Sequence, residues 1–249
     1  MDFPTDKDAL ISQLVPGLTF ADVGGLWGLR NEMVSVALRA GARSGTMIDL
    51  YPADRQEWQD FRNRVHDAKL PEATCVVADA TARNFPQRVG EFDVVHSAGV
   101  IYHIHSPFDY LMNLRDITRK ILVVTSMTVP DRIGQTSDAI DLSGGKFLST
   151  HQLDADQYRI LSTHFETLNL DRNAILGAAK HLYGIDGHPD SGSWWWLFTV
   201  ESLRRLLSAV GLQVDAVTET WHNRAHTFIC TPSKRRKISP ETTNAADDN

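Results

Sequence analysis

A doubly wound α/β domain with a mostly parallel seven-stranded sheet and a helical insertion is predicted from three observations. Short apolar runs alternate with helical segments of ten to fifteen residues from residue 18 to residue 128, the pattern of βαβ units. The run at 121–126 is almost wholly apolar and β-branched, as a strand buried on both faces should be. The rhythm breaks after it and resumes near residue 197 with a capped helix and two strands.

Taken in order, residues 18–23 read as the first strand and lead into a glycine-rich turn. A helix is expected over 29–40, stopped by Gly41. Strands at 46–50, 73–78 and 92–97 follow, with a helix from Pro52 to Asp67 after the first of them. Pro107 opens a helix to about Thr118, and 121–126 is the fifth strand. Residues 129–196 show no clear strand but two helical candidates, 155–167 and 172–182. Thr199 caps a helix through Ala209 with Gly211 as its stop, and strands 213–220 and 225–231 read as a hairpin around Asn223. The last strand would then run antiparallel. This divides one domain into a core of 18–128 and 197–232, a helical lid of 129–196 and a disordered tail of 233–249.

Composition narrows the class. With 249 residues, 42% hydrophobic and 22% charged, the chain is an ordinary globular protein able to bury a full core. No apolar run is long enough to span a bilayer, and the N-terminus lacks a signal-peptide pattern, so a cytoplasmic location is expected. Cys75 and Cys230 read as two buried thiols. The net charge of −6 argues against a nucleic-acid partner. The basic run Lys234-Arg235-Arg236-Lys237 opens a polar tail and reads as solvated chain.

The chemistry concentrates at Phe20-Ala21-Asp22-Val23-Gly24-Gly25-Leu26-Trp27-Gly28, a strand-turn-helix whose glycines allow a sharp turn and a close ligand approach. Asp49 and Leu50 end the second strand, where a carboxylate can accept from two ribose hydroxyls. Asp79 and Ala80 follow the third, where an adenine amine could be read. Leu26 stands at the second glycine position of the dinucleotide fingerprint and Arg30 crowds the helix start. A pyrophosphate is therefore poorly served, whereas a sulfonium nucleoside has none to cradle.

On Asp22, Gly24, Gly28, Asp49 and Asp79 the chain resembles the class I S-adenosylmethionine-dependent methyltransferases. That resemblance implies their Rossmann-like fold and S-adenosyl-L-methionine as cofactor, with Gly25, Leu50, Ala80 and Ser97 among its contacts. The segment Ser97-Ala98-Gly99-Val100-Ile101-Tyr102-His103-Ile104-His105-Ser106-Pro107 is similar to that of the tRNA wobble-uridine carboxymethyltransferase-like group, which reads S-x-G-V-L-Y-H-x-x-S-P. In that group the matching tyrosine helps hold the extra carboxylate of a carboxylated donor. Tyr102 takes its place here, but the basic partner from the N-terminal region has no counterpart, so the ordinary donor is expected.

The acceptor is less defined. A small-molecule or sugar hydroxyl is expected, with a tRNA substrate or a non-catalytic nucleoside-binding protein as alternatives. His103 is the candidate general base, or else orients the loop or substrate. Trp194, Trp195 and Trp196 form either a substrate-stacking wall or an anchor for the insertion. His103 and His105 alternate, and with no further ligands in view no metal site is assigned.

Overall fold

The computed structural model describes residues 3–26, 32–135, 138–176, 194–221 and 224–233. Seven strands form the central sheet: β1 (Thr19–Val23), β2 (Ser44–Asp49), β3 (Thr74–Val77), β4 (Phe92–Ala98), β5 (Thr118–Met127), β10 (Leu212–Thr220) and β11 (Ala225–Pro232). Their order is β10-β11-β5-β4-β1-β2-β3. The first five are mutually parallel, and β11 runs antiparallel to both β5 and β10. The chain leaves β1 toward β2 and β3, then returns to β4 on its other side. That reversal leaves a crevice at the carboxyl ends of β1 and β4.

Helices cover both faces because strand side chains alternate between two apolar layers. Phe20, Val94 and Val123 join one layer with α1 (Lys7–Leu14), α2 (Val34–Arg39) and α3 (Gln56–Asp67). Their neighbours Ala21, Val95 and Val124 join the other with α4 (Phe85–Val89), α5 (Pro107–Ile117) and α8 (Val200–Ala209).

Some boundaries differ from the sequence reading. An unforeseen helix, α1, precedes β1; Asp6 caps it by accepting from the Ala9 N–H at 2.8 Å, and Leu10 and Ile11 are buried under it. α2 begins at Val34, with the Met33 N–H before it donating to the Asp22 side chain of β1; the expected start at residue 29 lies outside the described residues. α4 escapes periodicity at five residues with a proline in its first turn.

The larger correction concerns 129–196, which is not purely helical. Short strands β6 (Arg132–Ile133) and β7 (Ile140–Asp141) pair with each other, and β8 (Phe147–Ser149) pairs with β9 (Trp196–Phe198). At two or three residues each, no alternation is readable, and the β8–β9 partners lie about fifty residues apart. α6 (Ala155–Thr167) has the expected bounds, opened by an Asp154–Gln157 capping box. α7 (Arg172–Leu176) starts as expected; its predicted continuation to 182 lies outside the described residues, as does the tail from 234. These pieces share a third apolar cluster including Val129, Ile133, Leu161, Phe165 and Leu197.

Cys75 and Cys230 are free thiols. They sit on β3 and β11, five strands apart, roughly 24 Å at the usual ~4.8 Å spacing, so no disulfide can join them. Among the described residues no helix is long and apolar enough to cross a membrane.

Candidate functional site

The turn after β1 is built for glycine. Gly24 has φ +78°, and a Cβ there would lie 2.5 Å from Val100. A Cβ on Gly25 would meet the Asp22 carboxylate at 2.2 Å. Gly28 lies outside the described residues.

Asp22 sits beneath this turn, fully buried. His96 of β4 donates from Nδ1 to its Oδ1 at 2.8 Å, and the Met33 N–H donates to Oδ2 at 2.8 Å. Asp22 therefore ties β1 to β4 and to the chain before α2. His96 escaped the sequence reading. Its signal was a histidine inside a buried strand, at the position that registers directly against Asp22. Its Nε2 is buried with no hydrogen-bond partner among the described residues. Glu32 lies nearby, buried, accepting from the Ser35 N–H at 2.6 Å and hydroxyl at 2.8 Å; burial pushes its carboxyl up. Burial likewise pulls the Lys7 ammonium of α1 down, against the opposing pull of Asp22.

Asp49 stands at the end of β2 against the same turn. It accepts from the Leu26 N–H in the turn and from the Tyr51 N–H, both at 3.2 Å. Burial raises its pKa to about 6. These main-chain bonds are long, and a carboxylate has four lone-pair directions, so accepting capacity remains for hydroxyls. Leu50 is half-buried against the first apolar layer. Asp79 holds the turn after β3, accepting from the Thr81 N–H at 2.8 Å and hydroxyl at 2.7 Å. Asn113 of α5, also unforeseen, fixes the following loop by donating to the carbonyls of Ala80 (2.8 Å) and Ala82 (3.0 Å).

After β4 the expected contacts separate. Ser97 is buried and its hydroxyl is engaged with Tyr110 of α5 at 2.5 Å. Gly99 has φ +76°, and the Tyr102 hydroxyl lies 3.4 Å from where its Cβ would be. Burial pushes the Tyr102 phenol well above its ordinary range. The Tyr102 ring packs on His103 (4.5 Å between centroids) and on Trp194 (4.3 Å).

The tryptophan triplet divides. Trp194 packs on Tyr102, meets Phe165 edge-on at 6.3 Å and borders a cleft of about 530 Å³ beyond the end of β5. Trp195 stacks on His151 at 3.9 Å with His105 against its edge at 5.7 Å. Trp196 packs on Phe147 at 5.4 Å and donates from Nε1 to the Ile104 carbonyl at 3.0 Å. The Trp195 N–H donates to the Tyr102 carbonyl at 2.7 Å, and the Thr150 hydroxyl donates to the Trp194 carbonyl. Trp195 and Trp196 thus bind the insertion to the loop after β4, while Trp194 faces the cleft. His103 and His105 do part, toward Trp194 and Trp195 respectively. Among the described residues no three His, Cys, Asp or Glu side chains group as metal ligands would.

No family model and no curated relative matches the sequence. Solved structures match in fold. Magnesium protoporphyrin IX methyltransferase from Synechocystis PCC 6803 with bound S-adenosylhomocysteine is 14% identical, with TM-score 0.55 over 91% of this chain and 81% of that one. The 1,6-didemethyltoxoflavin-N1-methyltransferase of Burkholderia thailandensis, bound to its substrate and S-adenosylhomocysteine, is 13% identical, with TM-score 0.53 over 92% and 79%. A Rhodobacter sphaeroides structure provisionally named a Zn-dependent alcohol dehydrogenase is 16% identical, with TM-score 0.56 over 92% and 90%. At these identities the likeness is one of fold: the chain has the Rossmann-like methyltransferase architecture.

Proposed function

We propose that this chain is an S-adenosylmethionine-dependent methyltransferase acting on a small-molecule acceptor. The observation that carries this reading is the buried Asp49 carboxylate at the end of β2, hydrogen bonded to the glycine turn that opens at the switch point. A ribose held there presents its hydroxyls to one acidic acceptor, while Gly24 and Gly25 let the backbone approach the amino-acid part. Leu50 would lie along the adenosine, and Asp79 with the Ala80 loop would address the adenine. The main chain of Ser97 and the Tyr102 ring would border the sulfonium. The donor supplies an electrophilic methyl group. The protein's own task is to hold the acceptor in line with it and exclude water, and positioning can supply much of such a rate enhancement.

His103, half-buried beside Tyr102 and Trp194, is our candidate general base for a hydroxyl acceptor. The acceptors named for two of the three fold neighbours, magnesium protoporphyrin IX and 1,6-didemethyltoxoflavin, favour a small molecule over RNA. A tRNA substrate rests on the 97–107 segment, and a sugar hydroxyl remains within the same reading.

Titration calorimetry tests the donor assignment. Asp49→Ala should weaken S-adenosylmethionine binding by roughly 1–3 kcal/mol; unchanged affinity in a folded variant removes it. For the base, His103→Ala at saturating donor should lose ~10²–10⁴-fold in turnover, and a loss under about tenfold leaves His103 a scaffold residue. Labelled donor offered with total RNA or with a metabolite extract separates the two acceptor classes.

A further inference from the structure

The cleft bordered by Trp194 lies beyond the carboxyl end of β5, among α6, the first turn of α8 and the start of β11. Apolar side chains come from α6 and the turn after it: Phe165, Leu168 and Leu170. Cationic ones come from the other elements, Arg204 from α8 and Arg224 from the β10–β11 connection. Two carboxylates, Asp131 and Glu201, also border it. Glu201 is engaged with Arg205 at 2.8 Å and stands 3.8 Å from Arg204. Two histidines complete the polar part, His164 and His226, the latter hydrogen bonded to Thr128 at 2.8 Å.

Arg224 carries the argument. It is half-buried, and its guanidinium makes no ion pair or hydrogen bond among the described residues. Arg224 is a half-buried cation on the border of a cleft in which Glu201 is already engaged with Arg205, and its planar fork matches a carboxylate ligand. Trp194 offers a ring for a second ring to lie on, and it reaches the crevice through Tyr102, which overlies Gly99 at the end of β4. A volume of about 530 Å³ suits a ligand of a few fused rings.

We propose that this cleft is the acceptor pocket and takes a flat aromatic acid, its carboxylate held by Arg224 with help from Arg204 and its ring lying on Trp194. The acceptor role rests on the methyltransferase reading above; the ligand class rests on the cleft itself.

Calorimetry with 1-naphthoate, its neutral analogue 1-naphthalenemethanol and the cationic 1-naphthylmethylamine on the full chain tests it. Naphthoate should bind about tenfold more tightly than the alcohol, and the amine more weakly still. Arg224→Gln should erase the naphthoate advantage without moving alcohol affinity, and Arg224→Lys should restore part of it. Arg204→Gln should reduce it less, and Trp194→Leu should weaken naphthoate and alcohol alike. S-adenosylhomocysteine affinity should be the same in Arg224→Gln and the parent chain. Equal binding of naphthoate and alcohol, no binding of naphthoate, preference for the amine, or an advantage that survives both arginine changes overturns the proposal. If S-adenosylhomocysteine fails to bind the parent chain, the donor reading falls while the naphthoate comparison still decides the pocket.

Discussion

The crevice at β1–β4 and the cleft beyond β5 are built in opposite ways. The acids of the crevice stand at or just after strand ends of one sheet: a register of main-chain hydrogen bonds places Asp22 and Asp49 relative to one another, and Asp79 follows two residues after β3. The cleft is assembled from α6, α8, β11 and Trp194, brought together by a small apolar cluster and two short ribbons. The first kind of site should share the stability of the domain. The second depends on a subsidiary core and should loosen without dragging the first along.

The largest expected effect breaks the subsidiary core. Phe165 is 2% exposed within that cluster, and Phe165→Ala should cost ~3–5 kcal/mol of local stability. Hydrogen exchange should rise across 129–176 while donor affinity stays put. Exchange spreading evenly through β1 to β4 would mean the two regions melt as one unit. Next is the strut under the glycine turn. Asp22→Ala leaves His96 Nδ1 and the Met33 N–H without acceptors in a buried site, a loss of ~2–4 kcal/mol by denaturant titration. A loss below about 1 kcal/mol would show that the turn does not need it.

A smaller change, of opposite sign, comes from Asp49. Its folded pKa of about 6 lies above the ordinary carboxylate value of 3.8. The folded state therefore binds more protons than the unfolded state between about pH 4 and 6, and stability falls as pH rises through that window. Above it the charged, buried carboxylate costs roughly 1–3 kcal/mol. Asp49→Asn should recover that at pH 7 and nothing at pH 3, while losing donor affinity. In the parent chain, donor affinity should fall as pH drops through about 6, since ribose hydroxyls favour the charged acceptor. A pH-independent affinity from 5 to 8 would detach Asp49 from the ribose. The smallest effect sharpens the contrast again: Asp154→Ala removes the α6 cap at about 1 kcal/mol and should raise exchange in α6 without touching the crevice.

The sequence by itself determined the sheet, the switch point and the acids after the first three strands. Those features are local: glycine tolerance, β-branched runs and caps act over a few residues, and a parallel βαβ rhythm leaves few ways to order the strands. It also placed α6 at its observed bounds, and the Asp154–Gln157 capping box that opens this helix is local in sequence. What tertiary structure decided was direction and partnership. Ser97 and Asp22 stand where the pattern put them, yet Tyr110 and His96 claim their side chains. The three tryptophans are adjacent in sequence, yet two anchor the insertion and one faces the cleft. Asn113 and Arg224 carry no local signal, because their meaning comes from carbonyls about thirty residues away and from a cleft shared by four elements. Such contacts depend on loop closure across the whole chain, and no short window of residues contains them.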